Sequence, residues 1–181
     1  MTQASLVRGA SAPALLEYTI GEALLRAAKK WPKQEALVSV HQGIRWTYEQ
    51  FSFQVDRLAA GLLALGLKTG DRVGVWAPNC AEWTLVQFAT ARVGMIQVNI
   101  NPAYRLSEVE YTLNKVGVKV LICAEKFKTS DYVGMINELA PEVATSKLGE
   151  LKSKRLPDLR VVAQIGEIGR ASCRERVFSS V

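Results

Sequence analysis

The order of elements in this 181-residue sequence predicts an α/β fold, a partial, doubly wound and mostly parallel sheet with flanking helices. Two short apolar runs, 73–77 and 118–123, have the composition of strands that are covered on both faces. Amphipathic segments of helical period alternate with these runs, as in parallel sheets. Helix caps and terminal glycines also fall where the apolar patterns begin and end, which is typical of a sequence that specifies one fold.

A helix and a hairpin open the pattern. Thr19 and Glu22 have the spacing of a capping box, and the helix that they begin ends at Pro32. Its predicted apolar face consists of Ile20, Leu24, Ala27 and Trp31. The segment 36–46 then reads as two strands around the turn His41-Gln42-Gly43.

A second helix follows at Thr47, where Gln50 completes another capping box. Its apolar residues alternate at spacings of three and four: Tyr48, Phe51, Val55, Leu58, Leu62 and Leu65. The same spacing would suit a coiled-coil seam, but it lasts under three heptads and contains Gly61. We therefore expect a helix that faces the core.

The segment 70–105 predicts a strand, helix and strand joined as a parallel crossover. Asn79 is the predicted N-cap of the helix, which is apolar on nearly all sides and therefore buried on more than one. Gly94 suits a left-handed helix end, and 95–100 forms the next strand.

The remaining elements continue the alternation. Ser107 begins a predicted capping box for a helix that ends at Gly117, and the buried strand 118–123 follows. A shorter helix over 130–139 and a strand over 159–165 complete the predicted sheet.

Charge and hydropathy exclude several classes of protein. The chain is 49% hydrophobic and 22% charged, which describes a globular protein, and no window approaches the roughly 18 apolar residues of a membrane-spanning helix. The net charge of +6 is spread along the chain. The basic run 147–155 contains Glu150 and no aromatic residue, so we expect a solvated linker and no nucleic-acid partner.

Cysteine and histidine usage gives no metal site. Cys80, Cys123 and Cys173 lack metal-type spacing, and their odd number argues against a disulfide framework. The single histidine, His41, is predicted to be a turn residue, although one histidine would suffice for a nucleophile triad. A reducing compartment fits, either the cytoplasm or, as the alternative, the mitochondrial matrix.

Both ends of the chain differ from the middle. Residues 1–18 are predicted to be disordered; a mitochondrial transit peptide is the alternative, but Arg8 is the segment's one basic residue. Residues 167–181 break the pattern and resemble the in-frame translation of a sequencing-library adapter, so we expect a non-native tail on a truncated gene product. A natural basic tail is the alternative.

Three blocks carry a resemblance to a known family: Trp46–Phe51, Gly70–Asn79 and Ala91–Tyr104. They resemble the first conserved blocks of the AMP-forming acyl-CoA synthetases, in the adenylate-forming superfamily. The similarity runs over residues 19–166 and is strongest to the medium-chain fatty acyl-CoA ligases, through Asn-Pro-Ala-Tyr and 151–159. The resemblance implies the N-terminal part of the large AMP-binding domain of a longer enzyme.

That resemblance implies a ligase that joins a fatty acid to coenzyme A (CoA) through an acyl-adenylate, with ATP, Mg²⁺ and CoA as substrates of the full-length enzyme. It also implies that the phosphate loop, the magnesium-associated Glu and the catalytic Lys lie further along the chain than this sequence extends. We therefore predict no catalytic residue here, no tight binding of these substrates and no activity of the fragment alone. The turn after the first parallel strand has neither Gly-x-Gly-x-x-Gly nor a Walker Lys, which argues against dinucleotide-binding and P-loop proteins.

The candidate binding residues are Asn101, Tyr104 and Arg105, which follow the carboxyl end of a predicted strand, where doubly wound sheets bind ligands. In related synthetases the matching loop lies near the entrance used by the pantetheine arm of CoA. Asn101 and Tyr104 would offer hydrogen bonds and Arg105 would meet a phosphate. The alternative is a turn at Asn101, a packed Tyr104 and a solvated Arg105. Trp76 and Trp83 similarly suit either an acyl pocket or the core.

Two other functions remain open at this point. One is a different adenylate-forming enzyme, such as an aryl-CoA ligase or a luciferase-like oxidoreductase. The other is a non-catalytic, flavodoxin-like module that binds a nucleotide or a protein.

Overall fold

The computed structural model describes residues 9–10 and 12–166, and its parallel sheet confirms the α/β prediction. In chain order the elements are α1 (Ile20–Lys30), β1 (Glu35–Ser39), β2 (Ile44–Thr47), α2 (Tyr48–Ala64), β3 (Arg72–Trp76), α3 (Ala81–Arg92), β4 (Ile96–Asn99), α4 (Leu106–Val116), β5 (Val118–Ala124), β6 (Lys126–Phe127), β7 (Ser130–Asp131), α5 (Tyr132–Leu139) and β8 (Val161–Ile165). The predicted non-native tail, 167–181, and half of the predicted disordered start, 1–8 and 11, lie outside the described residues.

Four strands form the main sheet in the order β4-β3-β5-β8, and every pair in it is parallel. The chain runs from β3 to β4 on one side and then returns to place β5 on the other side of β3. This reversal makes a topological switch point between the carboxyl ends of β3 and β5, the position at which open α/β sheets bind ligands.

Helices cover both faces of the sheet, which is the doubly wound arrangement. On one face α1, α2 and α3 pack against a core that includes Val55, Leu62, Val75 and Ile122. On the other face α4 and α5 pack against a second core that includes Trp76 and Leu121. The predicted core face of α2 is confirmed, since Phe51, Val55, Leu58 and Leu62 are all buried.

The structure corrects two predicted helix starts. Cys80, not Asn79, is the N-cap of α3, and its side chain makes no capping hydrogen bond. Helix α4 begins at Leu106, before the predicted cap Ser107. There the carboxylate of Glu108, the third residue of the helix, accepts a hydrogen bond from the amide N–H of Arg105 at 3.0 Å. This bond satisfies the amide of the N-cap residue without a hydroxyl side chain.

Helix α1 also differs from its predicted face. Thr19 caps it as predicted, but Ile20 and Trp31 are exposed and Gly21 is buried with Leu24. The reason is close packing against α3, because a Cβ on Gly21 would lie 3.1 Å from the Cα of Arg92. Arg92 stabilises this contact by donating hydrogen bonds to the carbonyl of Gly21 at 3.0 Å and to the hydroxyl of Ser52 at 3.1 Å.

Other local predictions are confirmed. The hairpin β1–β2 is antiparallel around a one-turn 3₁₀ helix, and Thr47 and Gln50 form a complete capping box. The glycines predicted near helix ends, Gly66, Gly94 and Gly117, all have positive φ. A side chain with a Cβ would be strained at these positions.

Asp71 joins the amino ends of the two central strands. One of its carboxylate oxygens lies 2.7 Å from the Lys119 ammonium on β5, and the other accepts from the amide N–H of Lys68 at 2.8 Å. The hydrogen bond from Lys119 is the main cause that lowers the pKa of Asp71 below its ordinary value. A lowered folded-state pKa means that the ionised carboxylate stabilises the fold.

We predict that Asp71→Asn lowers the free energy of unfolding by about 1 kcal/mol at pH 7. The stabilisation is present above the ordinary aspartate pKa of about 3.9 and is lost as the pH falls through the lower, folded-state pKa. Urea unfolding at pH 7 and at acidic pH measures the difference. It should shrink in acid, and the exposed Asp158→Asn is the matched control. A difference of equal size at both pH values would contradict the ionic role of Asp71.

Candidate functional site

The loop 101–105 follows β4 at the carboxyl edge of the sheet, beside the switch point. The paired residues Trp76 and Cys123 mark where β3 and β5 end next to each other. Because ligands of doubly wound sheets lie outside these carboxyl ends, the loop borders the expected binding crevice.

Two buried aromatic side chains hold this loop from below. The indole N–H of Trp76 donates to the carbonyl of Asn101 at 3.1 Å, and the hydroxyl of Tyr132 donates to the carbonyl of Pro102 at 2.9 Å. Both residues have 0% exposure, and their ring centroids are 4.3 Å apart. Burial raises the pKa of the Tyr132 hydroxyl, so this group remains a hydrogen-bond donor at neutral pH.

The structure brings the three predicted site residues together on this loop. Asn101 is exposed, and its side-chain oxygen accepts from the amide N–H of Ala103 at 2.9 Å, which closes a turn. Tyr104 is half-buried against the second core. Arg105 is exposed, and its guanidinium donates to the hydroxyl of Thr129 at 3.2 Å. Their predicted role toward CoA stays a prediction.

The contact with Thr129 links the loop to the small hairpin β6–β7, where Lys126 and Lys128 are exposed. Exposed acidic residues lie at the same edge: Glu108, Glu125 and Asp131. The edge therefore carries charges of both signs, and the guanidinium of Arg105 is the group on the loop that can pair with an anionic ligand.

The two tryptophans named as alternatives for an acyl pocket lie on opposite faces of the sheet. Trp76 is fully buried in the second core, whereas Trp83 is half-buried against the first. They therefore do not line one pocket. Trp76 packs in the core, as the second of the two alternatives predicts.

A separate groove of about 230 Å³ lies between the hairpin β1–β2 and the start of α3. His41, Asn79 and Cys80 line it. His41 is exposed, and its Nδ1 lies 3.4 Å from the hydroxyl of Ser39. The position of His41 in the hairpin turn agrees with the prediction of a turn residue.

Gln42, in the same turn, supplies the cap that α3 lacks. Its side-chain oxygen accepts from the amide N–H of Ala81 at 2.7 Å, and its side-chain nitrogen donates to Glu82 at 2.8 Å. No local sequence pattern predicts this role, because the partners are about forty residues apart in the chain.

Cys80 is not an activated nucleophile. Burial, reinforced by the charge of Glu82, raises the pKa of its thiol to about 11. At neutral pH the reactive thiolate is therefore scarce.

Among residues 9–10 and 12–166, no group of three His, Cys, Asp or Glu side chains could hold a metal ion. No helix in this described part of the chain is both long and apolar enough to cross a membrane.

Comparison with known proteins gives consistent matches. A family model described as AMP-binding enzyme matches residues 24–170. The chain is 48% identical over 158 residues to the mitochondrial medium-chain acyl-CoA ligase ACSF2 of Danio rerio, covering 87% of this chain and 26% of that protein. It is 38% identical over 152 residues to the putative acyl-CoA synthetase YngI of Bacillus subtilis, covering 84% of this chain and 28% of that protein.

The solved structure of acetoacetyl-CoA synthetase from Streptomyces lividans superposes with a TM-score of 0.71 at 27% identity, covering 88% of this chain and 24% of that one. This match confirms the predicted α/β fold. The chain spans about a quarter of the length of the curated relatives that it matches.

We predict that iodoacetamide alkylates Cys80 at pH 8 at least about tenfold more slowly than an ordinary exposed thiol. The higher pKa makes each thiolate more nucleophilic, but this gain is smaller than the loss in the fraction of thiol that is ionised. Peptide mapping by mass spectrometry measures the rate at each cysteine. Val40→Cys is the matched control, because Val40 is 84% exposed in the turn beside the same groove. Equal rates at the two positions would contradict the raised pKa.

Proposed function

Because this chain belongs to the AMP-binding enzyme family, we propose that it is the N-terminal part of an AMP-forming medium-chain acyl-CoA ligase. The observation that carries the proposal is the 48% identity with a medium-chain acyl-CoA ligase over 158 residues. The family match over residues 24–170 covers β1 to β8, so it includes the whole sheet and the loop at its carboxyl edge.

In the proposed reaction the carboxylate of a fatty acid attacks the α-phosphate of ATP, and pyrophosphate leaves. The thiol of CoA then attacks the acyl carbon. The bond between that carbon and the phosphate oxygen breaks, and AMP leaves with its electron pair. Adenylation makes this second step feasible because AMP is a far better leaving group than hydroxide. The substrates are the fatty acid, ATP with Mg²⁺, and CoA; no nucleic-acid partner is proposed.

We assign a binding role to the loop and no catalytic role to any described residue. Asn101 and Arg105 present exposed polar groups at the carboxyl edge, next to the hairpin β6–β7. This placement supports the proposal that Asn101, Tyr104 and Arg105 lie at the entrance for CoA, whose phosphates are anionic. Charge stabilisation during adenylation requires further cations and amide donors, which the longer enzyme would supply.

The strand order supports one rival function. Numbered along the chain, the four parallel strands lie in the order second, first, third and fourth, which is also the order in flavodoxin-like proteins. A non-catalytic binding module of this build remains the alternative proposal.

For the compartment, the cytoplasm and the mitochondrial matrix are the two proposals. The Danio rerio relative is named as a mitochondrial protein, which supports the second.

The deciding experiment is to sequence the uninterrupted gene across codon 166 and to express its full product. We expect ATP- and CoA-dependent formation of acyl-CoA and AMP from a medium-chain fatty acid, and slower turnover of benzoate, the substrate class of an aryl-CoA ligase. The 181-residue chain itself should be inactive. A genomic stop codon directly after Val181, together with saturable ATP binding by the 181-residue chain, would overturn the ligase proposal and favour the binding module.

A further inference from the structure

The loop 101–105 is oriented from its buried side, not from solvent. Two consecutive carbonyls, those of Asn101 and Pro102, point inward, and each accepts a hydrogen bond from a different buried aromatic residue. A buried carbonyl without a donor is costly, so these two bonds determine the orientation of successive peptide planes.

Both donors stand on rigid elements. Trp76 ends β3, which has a parallel neighbour on each side. Tyr132 begins α5, whose first turn is capped by the Asp131 carboxylate accepting from the amide N–H of Gly134 at 2.8 Å. The amide N–H of Tyr132 in turn donates to the carbonyl of Glu125 at 3.1 Å. The two rings also pack on each other, so a shift of one would move the other.

The outer side of the same loop carries the exposed polar groups. The turn at Asn101 holds its side-chain oxygen against Ala103, and the guanidinium of Arg105 is tied to Thr129. The loop therefore has a restrained backbone and an exposed polar edge, which is the arrangement that a binding loop needs to hold a ligand at low entropic cost.

We propose that Trp76 and Tyr132 are positioning residues for the acceptor step. They brace the loop 101–105 so that its polar edge receives the CoA thiol arm in a constant geometry. The identity of the ligand, CoA, rests on the proposed function, but the effect of Trp76 and Tyr132 on the loop is independent of any activity. Loss of either hydrogen bond should affect CoA binding more than adenylation, because the loop lies at the proposed entrance for CoA.

The test uses Tyr132→Phe, which removes one hydroxyl and keeps the ring that packs against Trp76. In the 181-residue chain we expect amide hydrogen exchange at Ala103 and Tyr104 to accelerate about 3- to 10-fold, the effect of losing one buried hydrogen bond. In the full-length ligase we expect the KM for CoA to rise about 3- to 10-fold, whereas pyrophosphate release without CoA changes less than about twofold.

Tyr111→Phe is the matched control, because Tyr111 is a tyrosine on α4 with 65% exposure. It should change neither measurement. Exchange at Ile122, in the buried strand β5, separates a local effect from general destabilisation. Equal acceleration at Ile122 and in the loop, or an equal fall in both half-reactions, would overturn the positioning role. A full-length protein that forms no acyl-CoA would overturn the proposed function instead. The amide hydrogen exchange of the loop would then test by itself whether Tyr132 restrains the loop.

Discussion

The burial of β3 is the constraint on which the rest of the structure depends. This strand has parallel neighbours on both sides and side chains in two separate cores, with Val73 and Val75 on one face and Trp76 on the other. Water reaches none of these three side chains. Each backbone polar group of such a strand must therefore find a partner in β4 or β5, and each face must be covered by helices.

The same constraint places the candidate site. The connection that leaves β3 leads to α3 on one face of the sheet, and the connection that leaves β5 leads to α5 on the other face, so the two diverge between the carboxyl ends of these neighbouring strands. Trp76 connects β3 to the loop 101–105, because its indole N–H donates a hydrogen bond to the carbonyl of Asn101 and its ring packs against Tyr132. Core packing and the positioning of the binding loop thus use one side chain. This explains why an aromatic residue at the strand end need not line a substrate pocket to matter for function.

Local patterns predicted most elements correctly because the signals are encoded within a few residues. The box formed by Thr47 and Gln50 and the left-handed helix end at Gly117 depend on neighbours three or four positions away. The errors at α1 and α3 occurred where a distant residue determined the contact. Asn79 was a sound cap by type, but Gln42 reaches across from the hairpin to satisfy the first amide of α3. Gly21 was not predicted to be buried, because only the approach of α3 makes its missing side chain necessary.

The sequence by itself determined the alternation of strands and helices, the family to which the chain belongs and the loop that carries Asn101, Tyr104 and Arg105. These features follow from periodicity, capping and short motifs, all of which are local. Only the tertiary structure decided that Tyr132 supports that loop, that Trp76 and Trp83 lie on opposite faces, and that burial disables the Cys80 thiol. Each of these depends on contacts between residues far apart in the chain, and burial and hydrogen-bond geometry arise only when the elements pack.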